Sequence, residues 1–418
     1  MAQKRQRLAQ YRKAAGYSQE RLAEVLGVER STVMRWERGE TTPQPWFRPR
    51  LARALGISNH TLTRLLAGPA ESGTATSTPQ PTEEEVNALH RRAFLKHGVT
   101  AAAFPALSFD ELQHLGAAMD DARRYLDADV VQYFKRQLDL CAADDGAHGP
   151  AQALPVVLGV IGAIEQHAGF VKPAVRRELL SVGAQGAEFT GWLYRDAHHP
   201  RLSAHWHDRA TEWAQEAGDW PMQGYILLKK SQAAWDKRDG LRMLTLAQAA
   251  RDASWQLPSR VQAEVAQQEA RGLAMIGEAD RGVDAKLDEA WSLLNDATSN
   301  PGELGFGYDR SLLTMQTAIC YCEAGQPGRA AELYRSQVTD DRFSRRDRGY
   351  FLSLMAGALA QAAEPDNATD AGHEALAVAL ETNSQRTVHE LVRVCALLDP
   401  WRSQPAVRDL QDAVLPLA

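Results

Sequence analysis

Polar side chains of the types that bind nucleic acids are concentrated in the short segment 18–40. An arginine exposed near the start or middle of a helix can donate two hydrogen bonds to a guanine edge in the major groove. A short polar side chain at a helix N-terminus, beside unpaired backbone amides, suits a phosphate group. The residues that this pattern selects as DNA contacts are Ser18, Gln19, Glu29, Arg30, Ser31, Thr32 and Arg35.

Two short helices joined by a tight turn are predicted to position these side chains. Ser18 is a good N-cap for the first helix, and Gly27 ends that helix where a left-handed residue is favoured. The second helix is predicted from about Glu29 to Arg38, with Gly39 closing it. The apolar residues that would face a core from the two helices are Leu22, Ala23, Leu26, Val33 and Trp36. Together these signals predict a helix-turn-helix.

The motif SQxxLAxxLGVxxSTVxRWERGxxxP, with Arg12 upstream and ALGIS at 54–58, resembles the Cro/lambdoid-repressor (xenobiotic-response-element) family of helix-turn-helix proteins. The resemblance covers residues 1–68. It implies a five-helix domain, in which helix four runs from Trp46 to Leu55 and helix five from Ser58 to Leu66.

The same resemblance implies roles for individual side chains. Gln19 would clamp a phosphate at the start of helix two. Arg12 and Glu37 match an internal salt bridge of the family, which joins helix one to helix three. The residues that would face base edges from helix three are Arg30, Ser31 and Arg35.

Glu29 departs from the family pattern, which usually has Ser or Thr as the cap of helix three. A carboxylate at this position suits the helix dipole and could accept a hydrogen bond from a cytosine amine. Domains of this kind usually read paired half-sites about one helical turn apart, so one copy per chain predicts a homodimer on double-stranded DNA. The alternative is a helix-turn-helix that serves only as a protein–protein contact.

Charge is divided unevenly along the 418 residues. Residues 1–68 hold 13 lysines and arginines against 5 acidic residues, a net charge of +8, and the remainder holds 34 against 48, a net charge of −14. A small basic module joined to a large acidic one is expected when only the first part meets a polyanion.

Other kinds of site are not expected from the sequence. No phosphate-binding glycine loop, HExxH or GxSxG motif is present, so neither an enzyme nor a cofactor is expected. The four cysteines are too few for a disulfide scaffold and are interpreted as buried thiols. No apolar run reaches the ~18 residues of a membrane span, and a cytoplasmic location is expected. Four histidines are interpreted as a solvated patch rather than a zinc site: His198, His199, His205 and His207.

Beyond residue 68 the composition changes twice. Residues 69–85 are rich in Pro, Ser, Thr, Gly and Glu and are predicted to be a flexible linker. Residues 86–418 show helical periodicity with scarce strand signals, so the whole chain is predicted to be all-α. Residues 91–107 are interpreted as a helix that docks the end of the linker onto this larger domain.

The segment 308–338 resembles a tetratricopeptide repeat. Small and aromatic residues recur there at helical spacing, with a glycine between two predicted helices; these residues are Ala318, Tyr321, Gly325, Ala330 and Tyr334. The next pair of segments, 350–362 and 369–379, repeats this plan, and weaker versions are found at 222–253 and 261–294. If repeats of this length continue along residues 86–418, they would form eight or nine degenerate helical hairpins, stacked as a curved solenoid.

Seven tryptophans lie between Trp192 and Trp291, and each is interpreted either as packing or as part of an apolar pocket with a polar rim. The candidate ligand residues are Trp192, Trp206, Trp213, Tyr225, Lys229 and Trp235. The architecture is similar to actinobacterial regulators and, more distantly, to peptide-pheromone receptors, which implies that a peptide or small molecule binds the repeats. The alternative is an interaction scaffold whose repeats hold a protein partner.

Overall fold

Helices are the regular elements throughout the part of the chain that the computed structural model describes, as predicted. That part comprises residues 6–15, 17–43, 48–55, 62, 66, 109–278, 280–297, 302–338 and 343–417. Contacts divide the chain into two units, Met1–Pro79 and Gln80–Ala418. The predicted linker at 69–85 and the predicted docking helix at 91–107 lie outside the described residues.

The structure describes four helices in the first unit, and the second and third of them, with the residues that precede them, carry the predicted DNA contacts. The four helices are α1 (Gln6–Ala14), α2 (Gln19–Leu26), α3 (Arg30–Arg38) and α4 (Arg48–Leu55). The Oγ of Ser18 accepts a hydrogen bond from the amide of Arg21 at 3.0 Å, so one of the unpaired amides of α2 is satisfied. Gly27 and Gly39 end α2 and α3 with φ angles of 69° and 76°, the left-handed conformation that glycine adopts at no steric cost. The local sequence signals therefore set the bounds of both helices.

The core of this unit is formed by apolar residues that all four helices contribute. The buried members are Leu8, Leu22, Ala23, Leu26, Val33, Trp36, Leu51, Ala52, Leu55, Leu62 and Leu66. The predicted fourth helix is present, but residues 44–47 at its expected start lie outside the described residues. Of the predicted fifth helix only Leu62 and Leu66 are described, and both have helical backbone.

The second unit consists of helices joined by short turns. Its helices are α5 (Phe109–Asp120), α6 (Ala122–Tyr125), α7 (Ala128–His148), α8 (Pro150–His167), α9 (Pro173–Asp196), α10 (Pro200–Ala217), α11 (Trp220–Ala234), α12 (Gly240–Ala250), α13 (Ser259–Met275), α14 (Asp280–Asn295), α15 (Arg310–Glu323), α16 (Pro327–Gln337), α17 (Arg345–Gln361), α18 (Pro365–Thr382), α19 (Gln385–Leu397) and α20 (Pro405–Val414). From α7 onward, consecutive helices pair as hairpins, and each hairpin packs on the next.

The hairpin of α15 and α16 shows why the repeat pattern produces this packing. Ala318 and Ala330 are fully buried, and Tyr334 is 1 % exposed, so small residues let the two helices approach while the aromatic ring fills the space beside them. Gly325 lies between the helices with a φ of 75°. The predicted helical hairpin is confirmed. The described residues contain seven such pairs, compared with the eight or nine expected for 86–418.

The array curves until its last hairpins contact its first. Helix α7 packs against α17 and α18, and α9 packs against α19. Arg346 forms an ion pair with Asp145, two residues that are 201 positions apart and both buried. The Oγ of Ser384 donates a hydrogen bond to the Oδ1 of Asp196 at 2.9 Å. The sequence predicted a curved solenoid; the contacts between its ends, which depend on the rotation accumulated over all hairpins, were not predicted.

Candidate nucleic-acid interface and central cavity

One face of α3 is buried and the opposite face is exposed. Val33 and Trp36 are 2 % and 4 % exposed and pack into the core of the first unit. Arg30 and Arg35 are exposed on the other side, and Ser31 is partly exposed. The Nε of Arg35 donates to the carbonyl oxygen of Ser31 at 3.4 Å. The three residues predicted to face base edges therefore share the accessible surface of α3.

The start of α3 is held by polar contacts among its own exposed residues. The amide of Thr32 donates to the carbonyl oxygen of Glu29 at 2.9 Å. The carboxylate of Glu29 does not cap the helix; its Oε2 accepts a hydrogen bond from the Oγ of Ser31 at 3.0 Å. Arg30 pairs with Glu20 at 2.7 Å between exposed side chains, and such pairs exchange readily for other partners.

A nearly buried network connects α1, α2 and α3. The Nε of Arg12 donates to the Oε1 of Glu37 at 2.6 Å, with only 8 % and 10 % of the two side chains exposed. The Nη1 of Arg12 also donates to the carbonyl oxygen of Tyr17 at 2.7 Å. These contacts confirm the predicted Arg12–Glu37 salt bridge. The Nε2 of Gln19 donates to the Oε2 of Glu37 at 2.6 Å, a contact that sequence reasoning missed.

The second unit encloses a cavity of about 440 Å³ on the inner side of its curved array. The walls come from α9, α11, α13, α15, α17 and Arg386 of α19, the inner helices of successive hairpins. The ring of Tyr225 and the ammonium group of Lys229 lie 4.5 Å apart at this wall, and Trp192 also lines it. Three of the six candidate ligand residues therefore line one cavity.

The other three candidates lie in the core. Trp206 and Trp213 are 1 % and 3 % exposed on the outer helix α10, where Trp213 fills the space above Gly183. Trp235 is 3 % exposed and lies beneath the guanidinium of Arg271, which is 3.5 Å from its ring centroid. None of the three lines the cavity, because the outer helices and the turns direct their large side chains into the layer between helices.

Carboxylates and a lysine line one end of the cavity. The Nζ of Lys229 pairs with the Oε1 of Glu264 at 3.1 Å, and both side chains are largely buried. The pKa of Glu188 is raised to about 7, first because burial disfavours its charged form, with a lowering contribution from Lys229 and a raising one from Glu264. This end of the cavity therefore carries little net charge near neutral pH.

Arginines line the other wall, and sequence reasoning missed all of them. Arg195 forms a bidentate salt bridge with Asp236: its Nε donates to Oδ2 at 2.7 Å and its Nη2 to Oδ1 at 2.9 Å. Arg386 lies 3.4 Å from Asp196 and 3.7 Å from the ring centroid of Tyr350. A signal for a polar wall was present in the sequence: Glu264, Gln268 and Arg271 recur at four and three positions, which places them on one face of α13.

The predicted solvated histidine patch is wrong at His207, whereas His198 and His199 are exposed and His205 is partly exposed. His207 is 3 % exposed, and burial lowers its pKa to about 3, with smaller contributions from Arg195 and Lys230. It lies against Gly191, where the lack of a side chain leaves room for the imidazole. His198 stacks on His389 with 3.4 Å between ring centroids. Within the described ranges no group of three or more His, Cys, Asp or Glu residues could hold a metal ion.

The cysteines are unpaired, and burial dominates their environment. Cys320 and Cys395 are buried, as the sequence predicted, whereas Cys141 and Cys322 are partly exposed. Burial raises the pKa of Cys320 to about 11, so its thiol is protonated at neutral pH. Of the helices that the structure describes, none combines the length and the apolar character required to cross a bilayer.

Comparison with known proteins bears on the first unit. No curated protein matches the chain. Residues 5–68 match the model of a family described as "Helix-turn-helix domain". The matched range contains α1 to α4, the buried Arg12–Glu37 pair and the exposed face of α3. The first unit therefore contains a helix-turn-helix domain.

Proposed function

We propose that this protein is a sequence-specific, DNA-binding transcriptional regulator whose larger unit binds a small effector. The observation that carries the first part is the division of α3 into a buried apolar face and an exposed face with Arg30, Ser31 and Arg35. A helix of this shape fits the major groove, where arginine forks recognise guanine. The +8 charge of residues 1–68 supplies the attraction to phosphates.

Each exposed residue has a distinct role in this proposal. Arg35 and Arg30 donate to base edges, and Arg30 exchanges Glu20 for DNA on binding. The amides at the start of α2 and the hydroxyl of Ser18 contact a phosphate. The Gln19 side chain is held by Glu37, which orients it beside that phosphate. Glu29, Ser31 and Thr32 form the remaining polar surface at the start of α3.

The proposed regulator acts as a homodimer. A single helix-turn-helix covers one half-site, and two copies related by a two-fold axis read a palindrome with centres roughly 34–36 Å apart. The tetratricopeptide-like array supplies the effector site in its central cavity, whose volume of about 440 Å³ lies within the roughly 300–1,000 Å³ of small-molecule sites. An effector that changes the distance between the two helix-turn-helix domains of the dimer by a few ångströms would release one set of base contacts.

The direct test is selection of genomic fragments by the purified full-length protein, followed by footprinting of the enriched sequences. The proposal predicts one enriched motif with two-fold symmetry and half-sites one helical turn apart. Enrichment without a shared motif would contradict sequence-specific recognition. A stable protein recovered with the chain from a small-molecule-depleted extract, with no effector response on the selected DNA, would instead favour an interaction scaffold.

A further inference from the structure

Arg271 is a buried cation that has no ion-pair partner among the described residues. Its side chain on α13 is 4 % exposed and lines the central cavity. Its guanidinium stacks on Trp235, and its Nη1 approaches the Oε1 of Gln316 at 3.5 Å. Its Nε and Nη2 are buried and have no hydrogen-bond partner among the described residues. Leaving buried donors unpaired costs free energy, because the hydrogen bonds that they lose to water are not replaced by others.

The other arginines of the same wall have acidic partners. Arg195 pairs with Asp236, Arg346 with Asp145, and Arg386 with Asp196. Two acids that interact electrostatically with Arg271 are already engaged. Glu323 forms an ion pair with Arg238, and Glu390 forms one with Arg393. In the part of the chain that the structure describes, no carboxylate forms an ion pair with Arg271.

Two further observations support the same end of the cavity as a binding site. Burial lowers the pKa of Arg271, which is the direction expected for a cation that lacks a counter-charge. Gln268 lies one helical turn before Arg271 on α13, is 2 % exposed, and its buried Oε1 has no donor among the described residues. A cation fork and an unpaired acceptor therefore lie side by side on one wall.

We propose that the central cavity binds a small organic anion whose carboxylate or phosphate group is held by Arg271. The planar guanidinium presents two parallel donors, the geometry that matches either group. A hydroxyl or amine of the same ligand donates to the Oε1 of Gln268. Arg386, which is paired only at 3.4 Å or more, supplies a second cation at the cavity wall. This inference rests on the proposed function of the cavity as an effector site and specifies the chemistry of the effector.

The test measures thermal unfolding of the full-length protein during titration with three anions at constant ionic strength, set with sodium chloride. The probes are inorganic phosphate, acetate and glycolate, and tetramethylammonium chloride is the cation control. A ligand that binds the folded state alone raises Tm with its concentration. We expect phosphate or a carboxylate to raise the Tm of the wild type saturably, and glycolate, which has a hydroxyl for Gln268, to act at lower concentration than acetate.

The variants separate a specific site from general stabilisation by salts. Arg271→Gln should lose the saturable rise, whereas Arg408→Gln, which removes the same charge from an exposed residue of α20, should keep it. An equal rise in Arg271→Gln and the wild type, or no rise above sodium chloride with any probe, would overturn the proposal. If Arg271→Gln does not fold, Arg271→Lys replaces it: we expect a dissociation constant at least threefold higher, and an unchanged constant would overturn the proposal.

The outcome can be separated from that of the proposed function. Anion binding is measured from Tm in the absence of DNA. Control of DNA binding by an effector, called gating below, is measured from the affinity of the protein for the selected DNA. If anions bind through Arg271 and DNA affinity stays unchanged, the anion site is supported and the gating role fails. If DNA affinity responds to an uncharged small molecule while Arg271→Gln responds to anions like the wild type, gating is supported and the anion inference fails.

Discussion

Arg35 is the residue on which recognition of base sequence depends most directly. Its guanidinium is exposed on α3, off the face that carries Val33 and Trp36. We expect Arg35→Ala to reduce the preference for the selected operator over a scrambled duplex by about 1–3 kcal/mol, roughly 5- to 150-fold. Competition binding followed by fluorescence anisotropy measures this ratio.

Arg21→Ala is the matched control, because Arg21 is exposed on α2 and pairs with the exposed Glu24 of the same helix. It should lower affinity for both duplexes by a similar factor or leave it unchanged. An undiminished operator preference in Arg35→Ala would show that α3 does not read bases through this side chain.

The Arg12–Glu37 pair stabilises the helix-turn-helix domain. Its two side chains are only 8 % and 10 % exposed, and removal of one partner of a buried pair costs about 3–5 kcal/mol. We expect Arg12→Ala to lower the protection of α2 and α3 amides against hydrogen exchange by at least tenfold in the full-length protein, measured by mass spectrometry. Arg21→Ala, which breaks an exposed pair, should change protection by less than about fivefold. Equal protection in Arg12→Ala and the wild type would refute a stabilising role for the pair.

His207 makes the stability of the larger unit depend on pH. Burial lowers its pKa from 6.5 to about 3, so protons bind the unfolded chain more strongly than the folded one. The stabilisation is complete above pH 6.5 and is lost as the pH falls, by about 2 kcal/mol between pH 7 and pH 5. Glu188, whose pKa is raised to about 7, opposes this trend in the same range, since its folded form prefers the proton.

The contribution of His207 is isolated by comparing slopes of stability against pH in urea titrations. His207→Gln should remove the loss of stability that its protonation causes between pH 7 and pH 5. Identical slopes for His207→Gln and the wild type would contradict the buried neutral imidazole.

At the level of elements, the close approach of α9 and α10 depends on glycine. A Cβ on Gly191 would lie 2.5 Å from the Cδ2 of His207, so an alanine would force the helices or the ring to shift. We expect Gly191→Ala to destabilise the protein by about 1–3 kcal/mol, measured by urea unfolding.

Gly116→Ala is the control for the backbone effect alone. Gly116 is an exposed residue of α5, and a Cβ there would meet nothing within 4 Å. This substitution should leave stability unchanged or raise it by about 0.5–1 kcal/mol. If Gly191→Ala were as stable as Gly116→Ala, α9 and α10 would have to leave room for a Cβ between Gly191 and the ring of His207, and the proposed close approach would be contradicted.

Elements defined by local signals could be predicted from the sequence. The caps Ser18, Gly27 and Gly39 fixed α2 and α3, and Gly325 with its flanking small residues fixed the hairpin of α15 and α16. Contacts between distant residues could not be predicted. Arg271 has no ion-pair partner among the described residues because Glu323 and Glu390 pair with other arginines. His207 can be buried because Gly191 has no side chain.

At the scale of the whole molecule, charge and architecture divide the chain into two functional parts. The basic first unit carries the exposed arginines, and the second unit, whose charge is acidic overall, carries a cavity lined by paired arginines and one unpaired one. The ion pair between Arg346 and Asp145 joins the sixth of the seven described hairpins to the first. The cavity itself takes side chains from six of these hairpins.

The measurement that tests the central claim most directly is the affinity of the full-length protein for its selected operator as a function of salt concentration. DNA binding that neutralises phosphates releases counterions, so the account predicts a linear fall of the logarithm of the association constant with the logarithm of salt concentration. Arg35→Ala is expected to reduce the preference for operator over scrambled duplex by about 1–3 kcal/mol at every salt concentration. A well-folded protein without salt-sensitive affinity for any duplex would contradict the account.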